Sequence, residues 1–266
     1  MKIIIIGGGN MGLTYARAFI NSHVVTPAQL MILEKEDGQK LSTLNEHKLA
    51  DVHSDPTRIK EAELIILSVK PQDAPLLFDQ VKDYIDESQI VLSIMAGITI
   101  DTIVEHLGVT KVIRAMPNLP AQIGVGMTAF TSTADVSRFE EQWIQNLLQT
   151  TGKAISVPNE QLIDAVTAIS GSGPAYIYYF MDSMIQAASN MGLDRSVAEM
   201  MVQQTFAGAI DLFKQSSHNC KEWIDKVSSK GGTTEAAIKH FNNHKLDQII
   251  IGGANDAHKR AQELGK

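Results

Sequence analysis

Residues 228–238, Ser-Ser-Lys-Gly-Gly-Thr-Thr-Glu-Ala-Ala-Ile, place a glycine pair and two hydroxyl residues directly ahead of an apolar, helix-forming run. A helix that opens at Gly232, Thr233 and Thr234 presents backbone N–H groups without intrahelical acceptors, at the positive end of its dipole. That arrangement suits a carboxylate or a phosphate. The same residues also read as an ordinary capped helix start after a loop. Two further glycine-built loops, Gly7-Gly-Gly-Asn-Met-Gly12 and Ser170-Gly-Ser-Gly-Pro174, call for a ligand that all three anchor together.

The loop at Gly7–Gly12 is a GxGxxG that follows the β-branched run Ile3–Ile6 and opens a helical pattern. Gly7 permits the tight turn, Gly9 lets the backbone approach a pyrophosphate, and Gly12 lets the helix lie close to the strand, with Asn10 and Met11 in its first turn. Glu34 stands 22 positions after Gly12, close to the spacing of an acid that bonds the ribose 2′-hydroxyl of NAD(H). Lys35 beside it could receive the extra phosphate of NADP(H), and both also read as a solvated charge pair at a strand end. Val69-Lys70-Pro71 falls at the carboxyl end of a strand, where Lys70 could neutralise phosphate, line the pocket or stay solvated. Ala96 and Gly97, within Ser93–Ile98, are small enough for a nicotinamide ring to lie flat against backbone or simply for tight packing. Asn118, in the proline-stiffened loop Arg114–Pro120, could bond the carboxamide or a neighbouring loop.

Positioning these loops requires a sheet. Ile3–Ile6, Leu30–Leu33, Leu64–Val69, Ile90–Ile94 and Val112–Ala115 read as strands separated by helices, the alternation of parallel βαβ units. Gly126–Phe130 and Ala154–Val157 are further strands, with Ser137–Leu148 as the helix between them. The expected fold is α/β: a Rossmann-type doubly wound sheet over residues 1–158, followed by an all-helical domain over 159–266 for substrate binding and dimerisation. Asn159 is the candidate N-cap of its first helix, Pro174 sits at a helix start, and Gly192 follows a helix end. The helix Pro174–Met191 is apolar around most of its circumference, with only Asp182, Gln186 and Ser189 as a polar stripe. Such a helix is buried on more than one side, either in a homodimer or at the centre of the monomer.

A length of 266 residues suits two domains, and a net charge of −7 argues against nucleic-acid and anionic-membrane partners. The single cysteine, Cys220, makes neither an internal disulfide nor a clustered metal site, so no metal is expected and a reducing, cytoplasmic setting fits. No apolar run approaches the length of a signal peptide or a membrane span.

Taken together, Gly7–Gly12, Val69-Lys-Pro71, Ala96-Gly97-Ile98, Arg114-Ala-Met-Pro-Asn118, Ala168-Ile-Ser-Gly-Ser-Gly-Pro-Ala-Tyr176 and Ser229-Lys-Gly-Gly-Thr-Thr234 resemble the pyrroline-5-carboxylate reductase family, in the family's order and over the whole chain. The resemblance implies reduction of 1-pyrroline-5-carboxylate to L-proline by NADPH or NADH. It further implies a helical domain that dimerises, assembly of dimers into decamers, and a substrate pocket at the dimer interface. Thr234 is implied as the residue whose hydroxyl bonds the ring nitrogen. Gly232, Thr233 and Ser229 are implied around the substrate carboxylate, Ser170 and Ser172 on the pocket wall, and Glu160 near the ligands. Where many members carry Asn or Ser followed by Arg or Pro and use NADPH, this chain has Glu34-Lys35, and Asp55 replaces an Asn that touches the adenosine ribose; both changes raise the expectation of NADH.

Two rival readings exist. The β-hydroxyacid dehydrogenases and ketopantoate reductases need a catalytic lysine in the helical domain. Lys214, Lys221, Lys226 and Lys230 are present there, but none lies in the helical Gly-x-x-x-Lys setting. A catalytically silent nucleotide-binding regulator is separated from the enzyme by whether the imine substrate oxidises a reduced nicotinamide cofactor.

Overall fold

The computed structural model describes residues 1–35, 38–46 and 48–264. Its first half builds one eight-stranded sheet. The strands and helices are β1 (Ile3–Ile6), α1 (Asn10–Asn21), β2 (Leu30–Leu33), α2 (Gly38–Glu46), β3 (Asp51–His53), β4 (Leu64–Leu67), α3 (Ala74–Val81), β5 (Ile90–Ser93), α4 (Ile100–Leu107), β6 (Val112–Met116), β7 (Gly126–Ser132), α5 (Arg138–Gln149) and β8 (Gly152–Ser156). Sheet order is β3-β2-β1-β4-β5-β6-β7-β8. β1, β2, β4 and β5 are buried at every position, as nearly continuous apolar runs must be when helices cover both faces of a parallel sheet. The two apolar layers are separate: Ile3, Ile5, Tyr15 and Phe19 belong to one, Ile4, Ile6, Phe78 and Ile103 to the other.

β1 pairs with both β2 and β4, Ile3 standing opposite Leu30 and Leu64. The chain therefore reverses its direction of growth between β1 and β4, and the crevice outside the carboxyl ends of these strands is the expected ligand position of such a sheet. Gly7 N–H donates to Leu33 O at 2.9 Å and Ser68 N–H to Ile6 O at 2.9 Å, so the three loops leave the sheet side by side.

Two features depart from a simple parallel reading. β3 is a three-residue edge strand in which only Val52 is buried, too short to show a pattern in the sequence. β7 runs antiparallel to β6, because the short turn Leu119–Ile123 and left-handed Gly124 cannot span a crossover. The α5 crossover then brings β8 back parallel to β7.

The remaining helices are α6 (Gln161–Val166), α7 (Gly173–Asn190), α8 (Arg195–Lys214), α9 (Cys220–Val227), α10 (Thr233–Asn243) and α11 (Leu246–Leu264). The chain forms two compact units, Met1–Ser172 with Ala257–Lys266, and Gly173–Asp256. Residues 159–172 count with the first unit, where Ile163 and Ala168 are buried. The cap position of α6 falls on Glu160, one residue after Asn159.

In the second unit α7 packs on α8 through Ile185, Ala198 and Val202, supported by Met181, Ala188 and Phe206. Ile185 is the only buried residue of α7, and Tyr179 is 77% exposed. An apolar helix left this open is not the centre of a monomeric core. Tyr178, Tyr179, Met200, Met201 and Ile249–Ile251 are exposed apolar side chains in the same unit, surface that calls for a further subunit. Among the described residues no helix is long and apolar enough to cross a membrane.

Candidate active site

The glycine loop has the geometry of a pyrophosphate cradle. Gly7 adopts a left-handed φ of +104°, and a Cβ there would meet Ser68 O at 2.7 Å. Gly12 lies so close to Gly7 O that no side chain fits, which seats α1 against β1. Gly9, at the N-cap of α1, faces open space: a Cβ there would meet nothing within 4 Å. The amides of Asn10 and Met11 open the helix behind it, so backbone donors and room for a phosphate pair coincide. These residues fit a dinucleotide.

Beside the loop is a cavity of about 530 Å³ whose walls include Gly7, Leu33, Glu34, Lys35, Ser54, Val69, Asp73 and Leu77. Glu34 is only 8% exposed. One carboxylate oxygen accepts the Gly8 N–H at 2.8 Å and the other the Lys35 N–H at 3.0 Å, so the acid is oriented by the loops it joins. Lys35 Nζ lies 3.2 Å from Asp73 Oδ1. Asp55, between the wall residues Ser54 and Pro56, caps the turn Pro56–Glu61, accepting the Thr57 N–H at 2.9 Å. Hydrogen bonds from the Thr57 hydroxyl and amide hold its carboxyl below the usual carboxylate range. Pro71 starts a short helical turn that leads into α3, and exposed Lys70 precedes it.

Further along the sheet edge, Ala96 and Gly97 form the turn after β5. Gly97 has φ +76°, and a Cβ would come within 2.7 Å of Leu264 Cβ, so the position admits no side chain. Asn118 uses both ends of its amide: Oδ1 accepts the Met127 N–H at 2.9 Å and Nδ2 donates to Ser170 Oγ at 3.3 Å. Ser170 belongs to a π-helical turn, Thr167–Gly171, closed by Ser172 N–H to Thr167 O at 2.9 Å. Such turns widen a helix and recur at functional sites. A Cβ on Gly171 would strike the Met116 methyl at 2.7 Å, which keeps the turn tight on β6.

A charge cluster centred on buried Arg114 supports this region. Arg114, 2% exposed, donates to Glu160 Oε1 and to Asp164 Oδ1, each at 2.9 Å. Glu160 Oε1 also accepts the Ile100 N–H at 2.8 Å, tying the segment after Gly97 to the start of α6. The carboxylate of Glu160 thus has partners within the protein, a role visible only in three dimensions.

In the second unit, α10 opens at Thr233 with Gly232 as an extended N-cap. Gly231, at φ +75°, makes the turn, and Gly232 N–H donates to Ser229 O at 2.9 Å. A Cβ on Gly232 would collide with Ser229 Oγ at 2.6 Å. Glu235 reaches back to accept the Gly231 N–H at 2.7 Å, fixing the turn from inside the helix. Glu235 lies outside the residues expected from sequence, although its place in the first turn after an N-cap is a recognisable capping position. Ser228 is also an addition: its buried Oγ has no hydrogen-bond partner among the described residues, and it lines a hollow with Gly231, Gly232 and Glu235. The first-turn amides of Thr233 and Thr234 are those that a helix leaves without backbone acceptors.

Comparison with known proteins gives these loops a family. Residues 160–264 match the model for pyrroline-5-carboxylate reductase dimerisation, and residues 2–97 match that for NADP oxidoreductase, coenzyme F420-dependent. Pyrroline-5-carboxylate reductase 2 of Bacillus subtilis is 34% identical over 265 residues, 99% of this chain and 95% of that one. A solved pyrroline-5-carboxylate reductase from Coxiella burnetii superposes with a TM-score of 0.90 at 30% identity, over 100% of this chain and 98% of that one. The Plasmodium falciparum pyrroline carboxylate reductase with NADP bound shares the fold, with a TM-score of 0.89 at 24% identity over 100% and 98% of the two chains. With glycine loop, helical unit and sequence likeness running the full length, the chain belongs to the pyrroline-5-carboxylate reductase family.

Proposed function

We propose that this protein reduces 1-pyrroline-5-carboxylate to L-proline, the last step of proline synthesis, with a nicotinamide cofactor held by residues 1–158 and the substrate by residues 159–266. Full-length identity with pyrroline-5-carboxylate reductases carries the reading, and the open N-terminus of α10 supplies the matching chemistry. A reduced nicotinamide, when bound, would supply the hydride for the imine carbon. What the chain contributes is orientation. The amides of Thr233 and Thr234 take the carboxylate, with Gly232 and Ser229 shaping the turn. Ser170 and Ser172 border the ring, and the Thr234 hydroxyl bonds the ring nitrogen, whose proton comes ultimately from solvent. On the cofactor side, Gly7, Gly9, Asn10, Met11 and Gly12 hold the pyrophosphate, with Glu34, Lys35 and Asp55 near the adenosine ribose. Val69, Lys70 and Pro71 line the crevice, and Ala96, Gly97 and Asn118 flank the nicotinamide. The subunits pair through the helical region and assemble further as dimers of a decamer, in the cytoplasm. Purified protein mixed with pyrroline-5-carboxylate and NADH or NADPH should oxidise the cofactor with formation of proline. Absence of turnover with both cofactors would refute the enzyme reading.

NADH serves at least as well as NADPH in this reading, because Glu34 is buried in the wall of the cavity assigned here to the adenosine ribose and would oppose a 2′-phosphate. Placing that dianion against a desolvated carboxylate costs on the order of a kcal/mol or more. The comparison of kcat/KM decides: a value for NADPH about tenfold above that for NADH, roughly 1.4 kcal/mol, contradicts the preference. Glu34→Ser should move the ratio toward NADPH, while also releasing the Gly8 amide that Glu34 holds.

Thr234→Ala keeps the amide and removes the hydroxyl. A hydrogen bond to a charged ring nitrogen is worth about 1.5–3 kcal/mol, so kcat/KM should fall about ten- to hundredfold with cofactor binding intact. Thr234→Ser should retain much of the activity. Full activity of Thr234→Ala, combined with its loss on changing Gly232, would reduce the cradle to a carboxylate holder.

A further inference from the structure

Among the described residues lining the 530 Å³ cavity beside the glycine loop, Lys35 is the one cation, and two carboxylates, Glu34 and Asp73, share the wall with it. Glu34 is committed to the Gly8 and Lys35 amides. Asp73 comes from the turn after Val69-Lys70-Pro71 and takes the Lys35 ammonium at 3.2 Å. We propose that Asp73 is a cofactor-specificity residue: by engaging Lys35 it withholds from a 2′-phosphate the cation that would otherwise receive it. The proposal rests on the reading above that this cavity holds the adenosine end of the cofactor.

Physical magnitudes allow such a lock to be tested. The pair is partly open to solvent, with Lys35 61% and Asp73 37% exposed. Ion pairs of this kind are weak and screened, so the protein does not depend on this one for its fold. A 2′-phosphate entering the cavity meets a lysine whose charge Asp73 already offsets. NADH, with a 2′-hydroxyl, has no need of that cation. Asp73→Asn keeps the side chain's size and removes the charge, leaving Lys35 free to turn to the phosphate.

The test measures dissociation constants of NADH and NADPH by calorimetry on the full-length protein as Asp73→Asn, Lys35→Ala and the double variant, beside the parent. Asp73→Asn should raise the ratio Kd(NADH)/Kd(NADPH) about three- to tenfold, and in the Lys35→Ala background the same change should shift it less than about twofold. The corresponding kcat/KM ratios should move in parallel through KM. An unchanged ratio in Asp73→Asn overturns the proposal. So does a shift of equal size without Lys35, which would mean that Asp73 acts on the phosphate directly. The parent ratio separately tests the preference for NADH: a parent that binds NADPH tighter ends that preference, while the lock is still judged on the change caused by Asp73→Asn.

Discussion

Replacing Arg114 with methionine is expected to destabilise the sheet-containing unit by about 2–3 kcal/mol, below the roughly 3–5 kcal/mol of a fully buried pair, because the carboxylates of Glu160 and Asp164 left without their cation are partly exposed. Arg114 is 2% exposed and holds Glu160 and Asp164 at 2.9 Å each. Methionine fills much of the volume, so the loss reports charge more than packing. Glu160 also receives the Ile100 amide, and its repulsion from Asp164 would loosen the segment that follows Gly97. Urea unfolding at fixed subunit concentration measures the effect. The triple variant Arg114→Met, Glu160→Gln, Asp164→Asn should recover much of it, because no uncompensated charge remains. A single variant that unfolds at the parent's midpoint would show that the cluster holds nothing in place.

An equally large effect is expected from charging the uncovered apolar face. Ile249 and Ile251, 65% and 59% exposed in the single chain, lie on α11 in the region that matches the dimerisation model. Glutamates at both positions would have to be desolvated in any interface built there, which the interface cannot offset. The double variant should elute at the mass of one chain in light scattering, retain its helical circular dichroism, and lose kcat/KM by about a hundredfold or more. The parent should be an oligomer. A monomeric double variant with full activity would refute both the shared interface and a site that needs two subunits.

Much of the fold was legible because its determinants are local. Four of the inner strands are short runs of mostly branched residues, and where β1 turns into α1 Gly7 takes a positive φ while Gly12 lies against Gly7 O; such backbone sterics act within a few residues and therefore show in the sequence. The helix start at Thr233 is legible for the same reason, being written in adjacent glycines and hydroxyl residues. β3 was missed because three residues with one buried side chain carry no periodicity. The antiparallel return of β7 was also open, since strand direction follows from connection geometry and both directions use similar residues.

Charge pairing belongs to the tertiary structure alone. In the sequence Glu160 is one acid among many, and Lys35 can be read as a receiver of phosphate or as a solvated charge. Their partners are distant along the chain: Asp73 is 38 residues from Lys35, and Arg114 is 46 from Glu160 and 50 from Asp164. Which charges meet depends on strand order and on which loops share a sheet edge, and no local pattern encodes that. The residue types and glycine spacings determined the family, the sheet and the anion-binding turns. The folded chain decided that Glu34 is oriented by Gly8, that Lys35 is held by Asp73, that Asp55 caps a turn, and that α7 remains uncovered. The division has one physical cause: steric and hydrogen-bonding preferences act between near neighbours, whereas electrostatic partners and packing faces are chosen only when distant segments are brought together.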